Sequence, residues 1–399
     1  MRGFLRKDGR KGIRNIVVVA YLVECAHHVA ARIAQHYQQQ GDVHLIGFGG
    51  CAPNDYAELM MRQLCTHPNV GAVLLVSLGC ENFQRDRLLG DIMQSGRKAQ
   101  LLVIQEEGGT LRSIEKGITI IGTMLHKIAD APKVDMEWSD LMIGTVCGGS
   151  DGYSGITANP SVGSAFDWLV DRGATCIFEE PGELIGCEQL LADRAVTPAL
   201  GQRLYNCIVK ADKYYKQMGH DSFSAGNATG GLTTIEEKSL GSYCKSGSRR
   251  IQGLTYPALR PDAPGLWMMD VVPDGEARWG FPNINDNAEI MEMIACGCHL
   301  VLYTTGRGSV AGSAISPVVK VCSNPDTYRR MADDMDINAG AIVTEGLTFQ
   351  DIRDKILGRI RLTATGEPTK SEALGHQEYS LGYKFFLNEK SGMSNEECK

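Results

Sequence analysis

The sequence predicts an α/β protein with two doubly wound, mostly parallel α/β domains. Short runs of β-branched and aliphatic residues, such as 16–20 (IVVVA) and 70–78 (VGAVLLVSL), are typical of buried parallel strands. Longer segments with helical periodicity alternate with these runs, which favours βαβ units. Several runs end directly in glycine-rich turns, and α/β proteins bind ligands at the carboxyl ends of such strands. We therefore expect the functional site at the strand carboxyl ends.

The first half of the chain shows this alternation most regularly, after a basic, turn-rich segment at residues 3–15. Each predicted strand is an apolar run too short for a helix, and each predicted helix lacks a breaker. The predicted strands are 16–20, 43–46, 70–78 and 101–104. The predicted helices are 24–39, 56–65, 83–94 and 110–128.

Residues 130–139 (DAPKVDMEWS) are polar, contain Pro132 and are the best candidate for a linker. They divide the chain into a predicted N-terminal α/β domain, residues 1–135, and a C-terminal α/β domain, residues 136–399. The second half then repeats the alternation. Its predicted strands are 141–146, 174–178, 265–272 and 299–303. Its predicted helices are 162–171, 198–216, 236–240, 286–295 and 349–362.

Composition excludes several classes of protein. The 399 residues carry a net charge of −7, which does not suit a nucleic-acid partner. No apolar run approaches the length of a membrane span, and the charged N-terminus predicts no secretory signal. The 13 cysteines are spread along the chain, which favours free thiols in a reducing compartment. We expect a cytoplasmic protein without membrane or nucleic-acid contacts.

Residues 147–160 (CGGSDGYSGITANP) form the most informative turn, because an apolar run leads straight into it. The turn combines the thiol of Cys147, the carboxylate of Asp151 and the hydroxyls of Ser150 and Thr157. Its glycines let backbone N–H groups approach an anion. A plain strand–helix turn would need the glycines but no thiol beside an acid. We therefore favour a ligand site here.

Three cysteines share this context: Cys51, Cys80 and Cys147. Each follows a predicted strand, and each has a glycine next to it in the sequence. Parallel strands align their carboxyl ends, so the thiols could converge. Three thiolates could bind iron, directly or as a cluster, and the sequence leaves the two open. The alternative is that each is a small buried residue in a tight turn. Together, beside Glu81 and Asp151, they favour a metal site.

Residues 304–308 (TTGRG) follow another predicted strand and suggest an anion clamp. The guanidinium of Arg307 can bind a carboxylate or sulfonate through two parallel hydrogen bonds, and the hydroxyl of Thr305 stands beside it. The alternative is a surface arginine in a turn. Further donors occur in a segment that could equally be a packing loop: Arg278, Asn283, Asn285 and Asn287.

Two lysines, Lys238 and Lys245, are candidates for an anion ligand or a general base. The residues before Lys238 leave a structural reading open, because Thr234 and Glu237 also fit a helix capping box. An acidic turn at residues 179–183 (EEPGE) is usually a solvated surface, but it could supply a metal ligand or a base.

At these motifs the sequence resembles the altronate and galactarate dehydratase family. The resemblance rests on RKDGRKGIRN, GCEN, CGGSDGYSGITANP, GGLTTIEEKSLG, TTGRG and DINAG. Within the family, AYLVECAHHVA, DVVPDGE, GFPNINDNAEI and LGHQEYSLGYK resemble most closely the sulfolactate sulfo-lyase large subunits. The resemblance implies an iron-dependent lyase that removes the C2 proton of a 2-hydroxy acid. The candidate acid–base residues are then Lys238, Asp151 and Glu81, with Arg307, Ser150, Thr157, Thr305 and Lys245 binding substrate.

The resemblance also implies partners and leaves alternatives. A sulfo-lyase would release sulfite from 3-sulfolactate, a small dianionic 2-hydroxy acid, with a separate small SAF-type subunit in a hetero-oligomer. The chain begins at the RKDGR motif and not with a SAF module, which agrees with that expectation. The same features fit the large subunit of a sugar-acid dehydratase, and more remotely a non-catalytic scaffold subunit. An NAD-dependent oxidoreductase is disfavoured, because no GxGxxG follows the first strand.

Overall fold

Two parallel sheets form the framework of the protein, with a small antiparallel sheet in addition. The computed structural model describes residues 1–40, 42–219, 221–274 and 284–386. The strands are β1 (Arg2–Leu5), β2 (Lys11–Gly12), β3 (Ile16–Tyr21), β4 (Val43–Gly47), β5 (Val70–Ser77), β6 (Lys98–Val103), β7 (Lys133–Asp135), β8 (Met142–Cys147), β9 (Thr175–Phe178), β10 (Ile251–Thr255), β11 (Gly265–Met269), β12 (Leu300–Thr305), β13 (Val318–Cys322) and β14 (Ile337–Asn338).

Helices connect these strands, as parallel neighbours require. They are α1 (Glu24–His36), α2 (Asp55–Cys65), α3 (Arg85–Gln94), α4 (Ile104–Glu107), α5 (Thr110–Ala129), α6 (Ala158–Val170), α7 (Glu188–Asp193), α8 (Pro198–Gln217), α9 (Ala225–Thr229), α10 (Ile235–Cys244), α11 (Asp286–Cys296), α12 (Pro325–Arg330), α13 (Ala341–Glu345), α14 (Phe349–Ala364) and α15 (Lys370–Leu374). Among the described residues, no helix combines the length and apolar character needed to cross a bilayer.

The strand order confirms the predicted α/β class. The larger sheet runs β10-β11-β9-β8-β12-β13-β14 and the smaller one β4-β3-β5-β6, with every neighbouring pair parallel. The predicted strands and helices all occur, with ends displaced by a few residues. The strand before Cys147 lies in the larger sheet, whereas the strands before Cys51 and Cys80 lie in the smaller one.

In both sheets the strand order reverses at one strand, because later strands are added on opposite sides of it. In the larger sheet β8 comes first, β9 is added on one side of it and β12 on the other. In the smaller sheet β4 and β5 flank β3 in the same way. A crevice opens outside the carboxyl ends of such strand pairs, and it is the usual ligand site of open α/β sheets. The turns after β8 and β12, residues 147–160 and 304–308, therefore share one crevice.

The small antiparallel sheet was not predicted. It has the order β2-β1-β7, so the N-terminal segment pairs with residues 133–135 of the expected linker. The linker segment is thus partly a strand rather than wholly irregular. Strands of two to four residues are too short to show alternation, which is why the sequence did not reveal them. Three strands of the larger sheet were also not predicted: β10, β13 and β14. β10 and β14 are edge strands, β14 has only two residues, and Lys320 interrupts the apolar run of β13.

One apolar cluster joins the two sheets. It contains Ile16 and Leu75 of the smaller sheet, Val146 of the larger one, Met61 of α2 and Met293 of α11, each almost fully buried. Helices α2 and α11 contact each other within this cluster. Because interiors are close-packed, this shared core fixes one sheet relative to the other.

Two helical glycines provide a matched test of how α6 is placed under the crevice. A Cβ on Gly163 of α6 would lie 2.1 Å from the carbonyl oxygen of Cys244, whereas a Cβ on Gly358 of α14 would meet nothing within 4 Å. We predict that Gly163→Ala lowers the free energy of unfolding by roughly 1–3 kcal/mol through overpacking. Gly358→Ala should raise it by roughly 0.5–1 kcal/mol, because alanine favours helix. Urea unfolding of both variants is the measurement, and equal effects would contradict the packing.

Candidate functional site

Cys147 ends β8 and lies at the centre of a buried cluster of charged side chains. Its Sγ donates to Oε2 of Glu183 at 2.6 Å and accepts from Nζ of Lys245 at 3.2 Å. Its backbone N–H donates to Oε2 of Glu180 at 2.9 Å. Burial, followed by the negative charge of Glu183, raises the pKa of Cys147 to about 11. Without a bound cation the sulfur is therefore a neutral thiol at neutral pH.

The acidic turn predicted at residues 179–183 follows β9, the strand next to β8. Glu180 has a left-handed backbone, φ 73° and ψ 59°, although it is not a glycine and precedes Pro181. Such a conformation costs on the order of 1–3 kcal/mol and is typical of functional sites. The strained turn allows Glu180 and Glu183 to contact the same cysteine. The acidic turn is thus part of the buried cluster and not a solvated surface.

Both predicted lysines reach this cluster from α10. Lys238 forms an ion pair with Glu183, and Lys245 forms one with Glu180. Their positions, seven residues apart, bring them to one face of the helix and its end. Burial lowers the pKa of Lys238, but its neighbours, Glu183 foremost and Cys147 next, together more than offset this, so the net pKa lies above the ordinary value. Thr234 does cap α10 by accepting from the Glu237 N–H, but the Glu237 carboxylate accepts from Thr233, so the predicted capping box is only half formed.

Helix α11 adds an acidic face that the sequence analysis missed. Asp286, Glu289 and Glu292 follow one another at intervals of three, and Glu289 and Glu292 are buried. Tyr303 of β12 donates its hydroxyl to Asp286, and a Cβ on Gly148 would lie 1.9 Å from that hydroxyl oxygen. The sequence signal was present, since three acids at helical spacing interrupt an otherwise apolar helix. Such a stripe indicates a polar site within a core.

Glu179 is the most unusual carboxylate of the cluster. It is fully buried, and neither of its oxygens has a hydrogen-bond partner among the described residues. Burial and the neighbouring Glu289 raise its pKa well above the ordinary value. A buried carboxyl without partners is costly unless a proton, a cation or a ligand compensates it. Its surroundings therefore fit the binding of a positively charged group.

The donor atoms meet the geometric requirement for a metal ion. Ligand atoms of Cys147, Glu180 and Glu183 lie within 4.8 Å of one another, as do those of Glu179, Glu180 and Glu289. A thiolate with carboxylates suits a divalent transition metal such as ferrous iron. Glu180, Glu183, Asp286 and Glu289 also line a cavity of about 80 Å³. These residues thus fit a divalent metal ion, whereas iron held by Cys51, Cys80 and Cys147 stays a prediction.

The other two cysteines lie elsewhere. Cys51 and Cys80 are exposed, and their loops adjoin, since the Asn82 N–H donates to the Cys51 carbonyl at 2.8 Å. Among the described residues, the sets of ligand atoms within 4.8 Å of one another include Cys147 but neither Cys51 nor Cys80. Cys147 ends a strand of the larger sheet, whereas Cys51 and Cys80 follow strands of the smaller one, which explains why the thiols are separated. The three-cysteine iron site stays a prediction.

Glu81 stands in the Cys80 loop, where its Oε2 accepts from the Gly79 N–H at 2.9 Å. Burial raises its pKa, but hydrogen bonds from Ser77 and Gly79 outweigh this and leave the pKa below the ordinary value. The structure therefore places Glu81 with the exposed cysteines and as a carboxylate. Among the described residues, the metal-ligand sets around Cys147 do not include it.

Asp151 lies in the crevice, but its oxygens hold the turn together. Oδ1 accepts from Ser154 at 3.1 Å and from Ser323 at 2.9 Å, and Oδ2 accepts from Asn324 at 2.9 Å. These contacts join the turn after β8 to the residues after β13. The geometry favours a positioning role for Asp151 over that of a proton acceptor.

The predicted hydroxyl donors also hold the crevice walls. Thr157 donates to the Ser323 carbonyl at 3.0 Å, Thr305 to the Gly149 carbonyl at 3.3 Å, and Ser150 approaches the Gly148 carbonyl at 3.4 Å. Since each hydroxyl has one proton, these contacts compete with substrate binding.

Arg307 is exposed at the edge of the crevice, where its Nη1 donates to the Gly226 carbonyl at 2.8 Å. Its backbone N–H donates to the Gly149 carbonyl at 3.0 Å, which ties the turn after β12 to the turn after β8. Among the additional donors, Asn285 caps α11 by accepting from the Ala288 N–H at 3.0 Å. Arg278 and Asn283 lie outside the described residues.

Comparison with known families accounts for nearly the whole chain. Residues 138–385 match the model of the D-galactarate/altronate dehydratase C-terminal domain, and residues 3–129 match that of the second domain of D-galactarate dehydratase/altronate hydrolase. The chain belongs to this dehydratase family. Every residue of the cluster around Cys147 falls within the C-terminal match.

Individual relatives extend over most of the chain. The (2R)-sulfolactate sulfo-lyase subunit beta of Chromohalobacter salexigens is 31% identical over 95% of this chain and 96% of its own length. The altronate dehydratase of Escherichia coli is 29% identical over 95% of this chain and 76% of its own. The galactarate dehydratase (L-threo-forming) of the same organism is 34% identical over 77% and 58%. The chain is thus an enzyme of the sulfo-lyase or hydro-lyase type.

The buried acids should make stability depend on pH. Burial and the charge of Asp286 raise the pKa of Glu289 to about 8. An unfolded glutamate titrates near about 4.3, so between these values the folded state retains a proton that the unfolded state releases. Folding is therefore increasingly opposed as the pH rises through this window. We predict that Glu289→Gln relieves this and adds roughly 2–4 kcal/mol to the free energy of unfolding near pH 8.

Urea unfolding of chelator-treated protein, between about pH 4.5 and pH 8, measures the effect. The advantage of Glu289→Gln should be small at the acidic end and grow with pH. Glu345→Gln, at an exposed residue of α13, is the control and should not change the pH dependence of unfolding. A glutamine variant less stable than the unmodified protein near pH 8 would show that Glu289 is charged and stabilising.

Proposed function

We propose that this chain is the large subunit of a sulfo-lyase that eliminates sulfite from 3-sulfolactate and gives pyruvate. The observation that carries the proposal is the buried cluster around Cys147, in which two lysines meet carboxylates at the reversal point of the larger sheet. The sulfo-lyase relative, which aligns over nearly the full length of both chains, supports this choice of reaction.

The reaction requires a proton acceptor and compensation of negative charge. The C2–H bond breaks, its proton passes to a base, and the electron pair is delocalised onto the substrate carboxylate. This pair then forms the C2–C3 double bond as the C3–S bond breaks, and sulfite departs with the electrons of the C3–S bond, without protonation. The enol of pyruvate takes up a proton at C3 and becomes the keto acid. The carbanionic intermediate next to a carboxylate needs cations or donors at the carboxylate oxygens.

Lys238 and Glu183 are suited to handling the C2 proton. The two groups form a buried ion pair. When Glu183 binds a cation instead, it no longer stabilises the ammonium, so burial lowers the pKa of Lys238 and this side chain can release its proton to solvent and become a neutral amine. The neutral amine then accepts the C2 proton. Lys245 supplies a second buried cation for the substrate carboxylate. Asp151 and the hydroxyls of Thr157 and Thr305 keep the walls of the crevice in place.

Arg307 is assigned to the sulfonate. It stands exposed at the edge of the crevice, where a dianionic substrate enters, and it offers a planar set of donors. Its backbone contact with Gly149 connects it to the turn that begins at Cys147.

Iron is the cofactor that we propose. Cys147, Glu180 and Glu183 would hold it, and the unpartnered carboxylate of Glu179 supports a cation in this region. When bound, a ferrous ion supplies Lewis acidity that stabilises negative charge on oxygen. The iron content of cysteine variants tests whether Cys51 and Cys80 take part.

A small partner subunit is the remaining part of the proposal. It rests on the relative named as a subunit beta and on the resemblance to enzymes with a SAF-type module. We propose that the small subunit completes a hetero-oligomer with this chain.

A sugar-acid dehydratase is the second candidate. The identity of 34% to a galactarate dehydratase is the observation in its favour. In that reaction hydroxide leaves from C3 and needs a general acid, for which the Tyr303–Asp286 pair at the crevice is the nearest candidate.

The two candidates predict different products. With ferrous iron and the small subunit supplied, the enzyme should release sulfite from 3-sulfolactate faster than it forms 2-keto acids from altronate or galactarate. Sulfite and 2-keto acid assays measure this directly. Lys238→Met should abolish both elimination and exchange of the C2 hydrogen with solvent deuterium, whereas Lys355→Met, at an exposed lysine of α14, should leave them unchanged. Turnover of sugar acids without turnover of sulfolactate would establish the dehydratase.

Iron content tests the metal assignment. Cys147→Ser should lower the affinity for ferrous iron by about tenfold or more, because it replaces a soft thiolate ligand. Metal analysis of anaerobically purified protein is the measurement, and Cys25→Ser at an exposed thiol of α1 is the control. Loss of iron in Cys51→Ser and Cys80→Ser as well would support the three-cysteine site. Unchanged iron in Cys147→Ser would contradict both assignments.

A further inference from the structure

Most of the string LGHQEYSLGYK, which contributed to the resemblance, lies in an irregular segment that follows α15 near the end of the described chain. We call residues 376–386 the C-terminal strap. The strap contacts loops that follow strands of both sheets. Glu378 accepts from the Gly312 N–H at 2.7 Å, after β12 of the larger sheet, whereas Tyr383 donates to the Ala52 carbonyl at 2.9 Å, after β4 of the smaller one.

The strap packs closely against the loop that carries Cys51. The ring of Tyr383 meets that of Phe48 edge to face at 5.3 Å between centroids, and a Cβ on Gly50 would lie 2.0 Å from the Tyr383 hydroxyl oxygen. Asn54, which caps α2, donates its amide to the Lys384 carbonyl at 2.7 Å. The strap therefore determines where this loop lies.

The next residue of the strap reaches the acidic face of α11. Lys384 Nζ lies 2.6 Å from Oε1 of Glu292 and 3.1 Å from the Val271 carbonyl. Both side chains of the pair are essentially inaccessible, with relative exposures of 1% and 0%. Tyr56 of α2 donates to the same Glu292 oxygen at 2.6 Å. Glu292 therefore joins the strap, α2 and α11 at one buried point.

Removal of one partner from a buried ion pair leaves an uncompensated charge in the interior, whereas removal of both can be nearly neutral. Oε2 of Glu292 has no partner among the described residues, so Lys384 is the cation on which this carboxylate depends. Glu292 lies one helical turn from Glu289, and Glu289 lines the cavity beside Glu180 and Glu183. A shift of α11 at Glu292 would therefore displace the acids of the candidate site.

We propose that Lys384 is a positioning residue for the reaction, holding the acidic face of α11 in register with the loop that carries Cys51. This inference rests on the proposed function, since it concerns the same site. Lys384 contacts no reacting atom; it acts through Glu292. Its contribution should appear in kcat more than in KM, because the displaced groups act on the transition state.

The experiment uses the reconstituted complex with iron and four variants of this chain. Lys384→Met should lower kcat by roughly 100-fold, the loss that a misplacement of about 1 Å produces, with little change in KM. Lys384→Arg, which keeps the charge, should retain most of the activity. The double variant Lys384→Met/Glu292→Gln should recover to within about tenfold of the unmodified enzyme, because neither charge is left unpaired. Gln377→Met, at an exposed position of the strap, should behave as the unmodified enzyme.

Two kinetic results would overturn the inference. They are an unchanged kcat in Lys384→Met, and a folded double variant that remains as inactive as Lys384→Met. If Lys384→Met fails to fold, the arginine and double variants decide alone by the same criteria. Whether the unmodified complex releases sulfite from 3-sulfolactate tests the proposed function separately.

Amide hydrogen exchange provides a readout without substrate. It should increase in residues 48–54 and 286–296 of Lys384→Met and return in the double variant. Unchanged exchange in both ranges would refute the proposed register, whether or not the enzyme turns over sulfolactate.

Discussion

The contact of Lys245 with Glu180 beside Cys147 is the interaction on which the site depends. An ammonium group with no exposed surface is tolerated only when a carboxylate compensates it. Glu180 can do so because its left-handed backbone turns the chain at the end of β9. β9 must in turn lie next to β8, so that the same carboxylate accepts from the Cys147 N–H. The strained turn, the strand order and the buried lysine therefore require one another.

The charges of the site explain why a cation-dependent reaction suits it. Two lysines face five carboxyl groups, those of Glu179, Glu180, Glu183, Asp286 and Glu289. At neutral pH a dianionic substrate would meet net repulsion in such a place unless protons or a metal ion neutralise some of the acids. Burial raises the pKa of Glu289, which supplies part of this neutralisation. A metal ion bound by the thiolate and carboxylates would supply the rest.

Part of the site could be read from local patterns. Cys147, Lys238 and Lys245 were predicted, and the structure joins them through Glu183 and Glu180. Asp151, Thr157 and Thr305 also lie at the crevice, but their polar atoms bind neighbouring turns rather than facing an open space. The acid face of α11 was overlooked because each acid alone resembles a solvated residue. Whether a polar side chain holds a turn or awaits a ligand depends on partners that are distant in sequence.

The sequence by itself determined the α/β class, the alternation of strands and helices, and the glycine turns at strand ends. These are consequences of side-chain periodicity and backbone freedom, which act over a few residues. Only the tertiary structure decided that the strands form two sheets, that β8 and β12 adjoin, and that Cys147 meets two glutamates while Cys51 and Cys80 lie on another sheet. Strand order follows from how the crossover helices pack, and that packing depends on contacts between residues far apart in the chain.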